Sequence, residues 1–299
     1  MQLHYEGEPA YLRGDFERTK DCFRRTEGDD ASRLRASVIA IAAAISTGDY
    51  PLCLEIESFL KSIIQTTEYE DVKAFAELCL STAYLSAVAP NMAPDWLKNG
   101  DFTHLHNVIK PDGVYKRGKY FQCLSKYEDM LLLAETALEL CVPQQEISFH
   151  GIYFHVECAT ACCGLGRKDE AKRWLLDGLK IALPHGFITP FAEMMPFFGG
   201  LLEQILEQEY PEYCDVMVNQ WNRTFVNWLD FHNHFTKDNI TLILSLREYQ
   251  MAILVARHVP YKEIAAQFHI SIGRLNNIMR DIYSKLYVSN RDGLAKLLI

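Results

Sequence analysis

The 299-residue sequence contains no apolar run approaching the roughly 20 residues that a membrane-spanning helix requires. A helical membrane protein is therefore not expected. It also lacks the HExxH and GxSxG arrangements that place a metal-bound water or an activated serine, so neither an enzyme nor a bound cofactor is expected. Its nine cysteines follow no regular framework spacing, and no signal-like segment precedes them. The expectation is free thiols in the reducing cytoplasm. What is present is ordinary for a globular chain, 49% hydrophobic and 23% charged, enough for one large domain or two of usual size.

Two clusters imitate functional sites. Gly113 to Lys119 fits G-x-x-x-x-G-K, but Tyr120 stands where a Ser or Thr hydroxyl would hold Mg²⁺, and the apolar segment before it is short and ends at Pro111. A basic turn leading into a helix over 120–140 is the simpler reading. His155, Cys158, Cys162 and Cys163 can share a helical face, and soft metals take such ligands. Small buried residues at helix contacts explain the same pattern, so no metal site is assigned. His104, His106, His232 and His234 lack partners at ligand spacing.

The N-terminal portion repeats. Gly14-Asp15-Phe16 returns as Gly48-Asp49-Tyr50 after 34 residues, and Gly118-Lys119-Tyr120 and Gly166-Arg167-Lys168 look like further copies. Five residues past each glycine stands a small side chain, Thr19, Cys53, Cys123 or Ala171, and nine past it Phe23, Tyr127 and Leu175, with Glu57 the exception. Glycine closes a helix, the small residue admits its partner, and the large one fills the next layer. The expectation is stacked helical hairpins of the tetratricopeptide type. Pro90, Pro94 and Pro111, with Gly100 and Gly113, interrupt the pattern and mark an insertion or a short irregular helix. The apolar face running from Tyr213 to Leu229 suggests a long helix over 210–231 that caps the last open surface of the stack, or else binds a partner. A polar linker over 232–239 should follow.

The last fifty-six residues, Leu244 to Ile299, have a different pattern. Ile264, Ala265 and Phe268 form the inner side of one short helix. Ser271 is placed to cap a second, along which Leu275, Ile278, Met279, Ile282 and Leu286 recur at helical spacing. The opposite stripe holds Asn276, Asn277 and Arg280, side chains suited to base edges, since Asn pairs with adenine and Arg with guanine. Leu294, Leu297 and Leu298 form a final apolar stripe.

In order, Leu244-Ser245-Leu246-Arg247-Glu248, Pro260-Tyr261-Lys262-Glu263-Ile264-Ala265, Ile270-Ser271 and Lys285-Leu286 with Val288, Ser289 and Arg291 resemble the LuxR type of helix-turn-helix across the whole module. Arg274, Asn276 and Ile278 stand where that pattern has Thr, Lys and His, which lowers the expected phosphate attraction. The run from Glu170 to Leu176 and on to Phe191 is similar to the helical-repeat sensor segment of MalT-like regulators, whose N-terminal nucleotide-binding domain has no counterpart here.

The resemblance implies an all-α chain. A tetratricopeptide-like repeat domain over 1–236 would bind a small-molecule or protein effector, and a four-helix module over 237–299 would bind double-stranded DNA. It further implies a transcriptional regulator, by analogy an activator, with RNA polymerase as a possible partner. Lys262 and Lys285 would touch phosphate, Ser271 would cap, and Arg274, Asn276, Asn277 and Arg280 would read bases. Leu294, Leu297 and Leu298 would join two copies on a two-fold operator. Charge agrees: from Lys237 onward there are nine Lys or Arg against five Asp or Glu, while the whole chain carries −9. The alternative is a repeat scaffold whose altered helix-turn-helix binds a protein instead of DNA.

Overall fold

The computed structural model describes residues 2–141, 149–236, 244, 246–268, 270–286, 288 and 290–298. The described residues are all-helical, without a strand. No helix among them is long and apolar enough to cross a membrane.

The first ten helices form a series of two-helix units: α1 (Gln2–Leu12) and α2 (Phe16–Arg24), α3 (Asp30–Thr47) and α4 (Tyr50–Thr66), and α5 (Glu70–Ser86) with the short α6 (Asp95–Asn99). These are followed by α7 (Lys110–Cys123) and α8 (Tyr127–Cys141), then α9 (Phe149–Gly164) and α10 (Lys168–Ala182). One local device closes the first helix of every unit. A residue in the left-handed region, Gly14, Gly48, Val88, Ser125 or Gly166, is followed by an amide that donates back five residues. The pairs are Asp15 to Ala10, Asp49 to Ala44, Ala89 to Tyr84, Lys126 to Phe121 and Arg167 to Cys162, all at 2.8–2.9 Å. Asp15 and Asp49 then cap the second helix with their carboxylates, accepting from the Arg18 and Leu52 amides.

That device corrects the third glycine signal. Gly118 is inside α7, and the turn of its unit is at Ser125, a serine at φ 56° that no glycine pattern could reveal. The expected basic turn over Gly113–Lys119 is helical for the same reason: Pro111 opens α7 at its first turn, where its missing amide is not needed. Both glycines of α7 serve close packing. A Cβ at Gly113 would press on Leu105, and one at Gly118 would overlap the Glu157 carboxylate. The expected interruption is the third unit, where a 3-10 turn (Pro90–Met92), α6 and an irregular stretch to Ile109 replace a full second helix.

After α10 the chain forms α11 (Thr189–Met194), α12 (Leu201–Glu209) and a 26-residue α13 (Pro211–Thr236). The helix expected to cap the end of the stack covers that end with its first half and then reaches further. Its start packs beside 183–206, with the Tyr213 hydroxyl on the Leu183 carbonyl at 3.2 Å and the Gln220 amide on the Thr189 hydroxyl at 2.9 Å. Its end lies in the core of the first units. There Phe231 is enclosed with Phe23, Ile41 and Ile56, Asn227 donates to the Ser46 carbonyl at 2.8 Å, and His232 meets the Ala87 carbonyl at 2.7 Å. The helix continues through 232–236, and residues 237–239 of the expected linker lie outside the described ones.

The first unit also meets the far end of the series. The Ile188 amide donates to the Leu12 carbonyl at 2.8 Å, and the Thr189 hydroxyl donates to that of Tyr11 at 2.6 Å. The units therefore curl until α1 touches α11, with α13 joining first units to last. The eight cysteines with described side chains are free thiols. Cys158 and Cys162 are wholly buried on α9, burial pushes the Cys162 thiol up to about 11, and the His155 ring donates to the Gly151 carbonyl at 2.7 Å.

Candidate nucleic-acid interface

The C-terminal module comprises α14 (Leu246–Ala256), α15 (Tyr261–Gln267), α16 (Ile272–Lys285) and α17 (Arg291–Leu298). Its core encloses Met251, Ala252 and Val255 of α14, Ile264 and Ala265 of α15, and Leu275, Met279 and Ile282 of α16. Those of α15 and α16 belong to the two sequence stripes, which pack together here. Phe268 and Ile278 pack partly against the same core, so Ile278 serves packing.

Ser271 is exposed immediately before α16, and its hydroxyl accepts from the Arg274 amide at 3.1 Å. The first turn of α16 is thereby held, with its remaining amides directed outward. From this start, Asn276, Asn277 and Arg280 follow on the face opposite Leu275, Met279 and Ile282, all three exposed. Arg274 is exposed at the border of that face. Lys262, at the start of α15, is also exposed. The side chain of Lys285 lies outside the described residues. Two further exposed side chains flank that face. Ile272 is 46% exposed although apolar, and Asp281 is an exposed carboxylate. An exposed Ile in the first turn of a helix is visible in sequence only once the helix register is fixed.

Of the leucines of α17, Leu294 is completely enclosed in the module's own core, and Leu298 is half-buried against it. The side chain of Leu297 is outside the described residues. Arg291 is structural too, its guanidinium donating to the Val255 and Val259 carbonyls at 2.6 Å each.

Neither a protein-family model nor a solved structure matches this chain.

The module sits against the helical body that precedes it. Arg257 lies over the Phe197 ring at 4.0 Å, Lys168 of α10 pairs with Glu263 of α15, and Trp228 of α13 approaches Tyr249 with ring centres 6.0 Å apart. Two cavities lie between the parts, and among the described residues neither is lined by Lys262, Ser271, Arg274, Asn276, Asn277 or Arg280. The polar face of α16 is open while the module is docked. No local pattern foretells this docking, because Phe197, Lys168 and Glu263 belong to unrelated stretches of chain.

Proposed function

We propose that the chain is a DNA-binding transcriptional regulator, with α15 and α16 as a helix-turn-helix of the LuxR type and the helical units as a tetratricopeptide-like sensor. The observation that carries this reading is the exposed row Arg274, Asn276, Asn277 and Arg280 on a helix whose first turn is fixed by Ser271. A helix of this kind enters the major groove by its N-terminal half, where Asn and Arg form two-point contacts with adenine and guanine. Ile272 suits the thymine methyl group. Lys262 would hold phosphate and fix the register. Recognition is carried by side-chain hydrogen bonds more than by charge, which fits the Asn at 276 in place of the family's Lys.

Two copies on a two-fold operator remain part of the proposal, joined through surface other than Leu294. RNA polymerase is the partner that activation would require. Chemistry is not assigned to the chain, and the DNA is bound without a cofactor.

The test is selection of bound sequences from random duplex DNA at two salt concentrations, with the wild type and an Asn276→Ala, Arg280→Ala double variant. A two-part motif that the double variant loses is expected. If the wild type enriches nothing even at low salt, with or without cell extract, the DNA reading fails. The scaffold reading then takes its place.

A further inference from the structure

A cavity of about 360 Å³ lies between the helical body and the module. That falls in the range of small-molecule sites, roughly 300–1,000 Å³. Filled with water it would hold about a dozen molecules. Its walls are mainly apolar and aromatic: Met195 and Phe197 from the body, Trp221 and Trp228 from α13, and Ile253 and Phe268 from the module. Such walls hold water poorly.

The polar end is built from Lys119 of α7, Glu193 of α11 and Tyr11 of α1. The Tyr11 hydroxyl donates to Glu193. Lys119 has only the Met194 thioether, 2.9 Å from its ammonium, and among the described residues no carboxylate pairs with it. Behind it, the Glu157 carboxyl packs on Gly118, enclosed and with neither oxygen hydrogen-bonded. Burial pushes Glu157 well above the usual carboxylate range and Glu193 upward, so both move toward the neutral form. Burial pushes Lys119 down, against the opposing pull of Glu193, Cys123 and Glu157. On the same cavity the Thr224 hydroxyl is enclosed and without a partner.

We infer that this cavity binds an organic monocarboxylate with an aromatic body, its carboxylate meeting Lys119 and Thr224 and its ring lying among Trp221, Trp228 and Phe268. Among the described lining residues Lys119 supplies the one ammonium, with the Glu193 and Glu203 carboxyls on the same lining, which suits one negative charge and disfavours a phosphate dianion. The second cation on the lining, Arg257, is engaged with the Phe197 ring. The inference rests on the sensor reading and gives it a ligand class. It also gives a route: the walls come from both body and module, so the ligand favours the docked arrangement by binding it more tightly.

The experiment uses the full chain without DNA. Indole-3-acetate and 3-phenylpropionate, each beside its uncharged amide, are titrated while tryptophan fluorescence and Tm are followed. Saturable binding of an acid at least ten-fold tighter than its amide, with a rise in Tm, is expected. Lys119→Met should abolish the preference for acid while keeping the wild-type Tm or raising it. Thr224→Val should weaken the acid and leave the amide unchanged. Absence of binding by both acids, or equal binding of acid by Lys119→Met and wild type, overturns the inference. Affinity for selected duplex DNA, measured without any acid, reports separately on the regulator reading, so either can fail alone.

Discussion

Ser271 shows how much one side chain can settle. Its hydroxyl takes up the Arg274 amide, one of the four donors that a helix start leaves unpaired. Ser271→Ala is expected to cost about 1 kcal/mol of module stability, seen as a lower urea midpoint, and to weaken DNA binding through fraying of the first turn. This residue was legible in the sequence because capping is local chemistry. Glu8 was not, because its surroundings come from distant helices. Burial is the main cause that raises its carboxyl to about 7, with repulsion from Asp112 adding and His150 opposing. The folded value lies above the ordinary 4.5, so between pH 4.5 and 7 the folded chain holds more protons than the unfolded one. Stability contributed by the neutral Glu8 is thus complete below pH 4.5 and lost as pH rises through about 7. Glu8→Gln should raise Tm over the wild type at pH 8 and lose that advantage at pH 4.5, as thermal melts across pH would show.

At the scale of elements, the helix turns explain both the success and the failure of the repeat pattern. Gly14, Gly48 and Gly166 adopt the left-handed conformation that glycine reaches without strain, and those turns could be read. Val88 and Ser125 adopt it too, at φ 55° and 56°, and those turns could not. Gly118 offered a false copy: its glycine answers to packing between α7 and α9, not to a turn. Gly118→Ala is expected to destabilise the chain by about 1–3 kcal/mol, measured by urea unfolding, because the new methyl overlaps Glu157. The ordinary helix gain from Gly to Ala, about 1 kcal/mol, works in the opposite direction and does not offset a displaced buried carboxyl. Among the candidate site residues, Asn276, Asn277 and Arg280 were legible because a 3.6-residue period separates their face from Leu275, Met279 and Ile282. Leu294 shares the apolar period but serves the module's interior, and periodicity cannot separate a core contact from a contact between copies.

For the whole molecule, charge is divided so that the acidic body is repelled by DNA and the basic C-terminal portion attracted to it. Lys262→Ala should weaken binding about equally on all sequences and reduce the salt slope of log affinity by about 1, whereas base-reading variants should alter sequence preference. Binding measured at several salt concentrations distinguishes the two.

By itself the sequence determined the helical class, the apolar stripes of the C-terminal module and the polar face of α16, since each follows from spacing within one element. Only the assembled fold shows that α13 joins the first units to the last, that the module docks through Arg257 on Phe197, and that Lys119 reaches a cavity with no carboxylate paired to it among the described residues. Those facts depend on which distant surfaces meet as the units curl, and burial, which moves charges and fixes partners, is a property of that meeting rather than of any local run of residues.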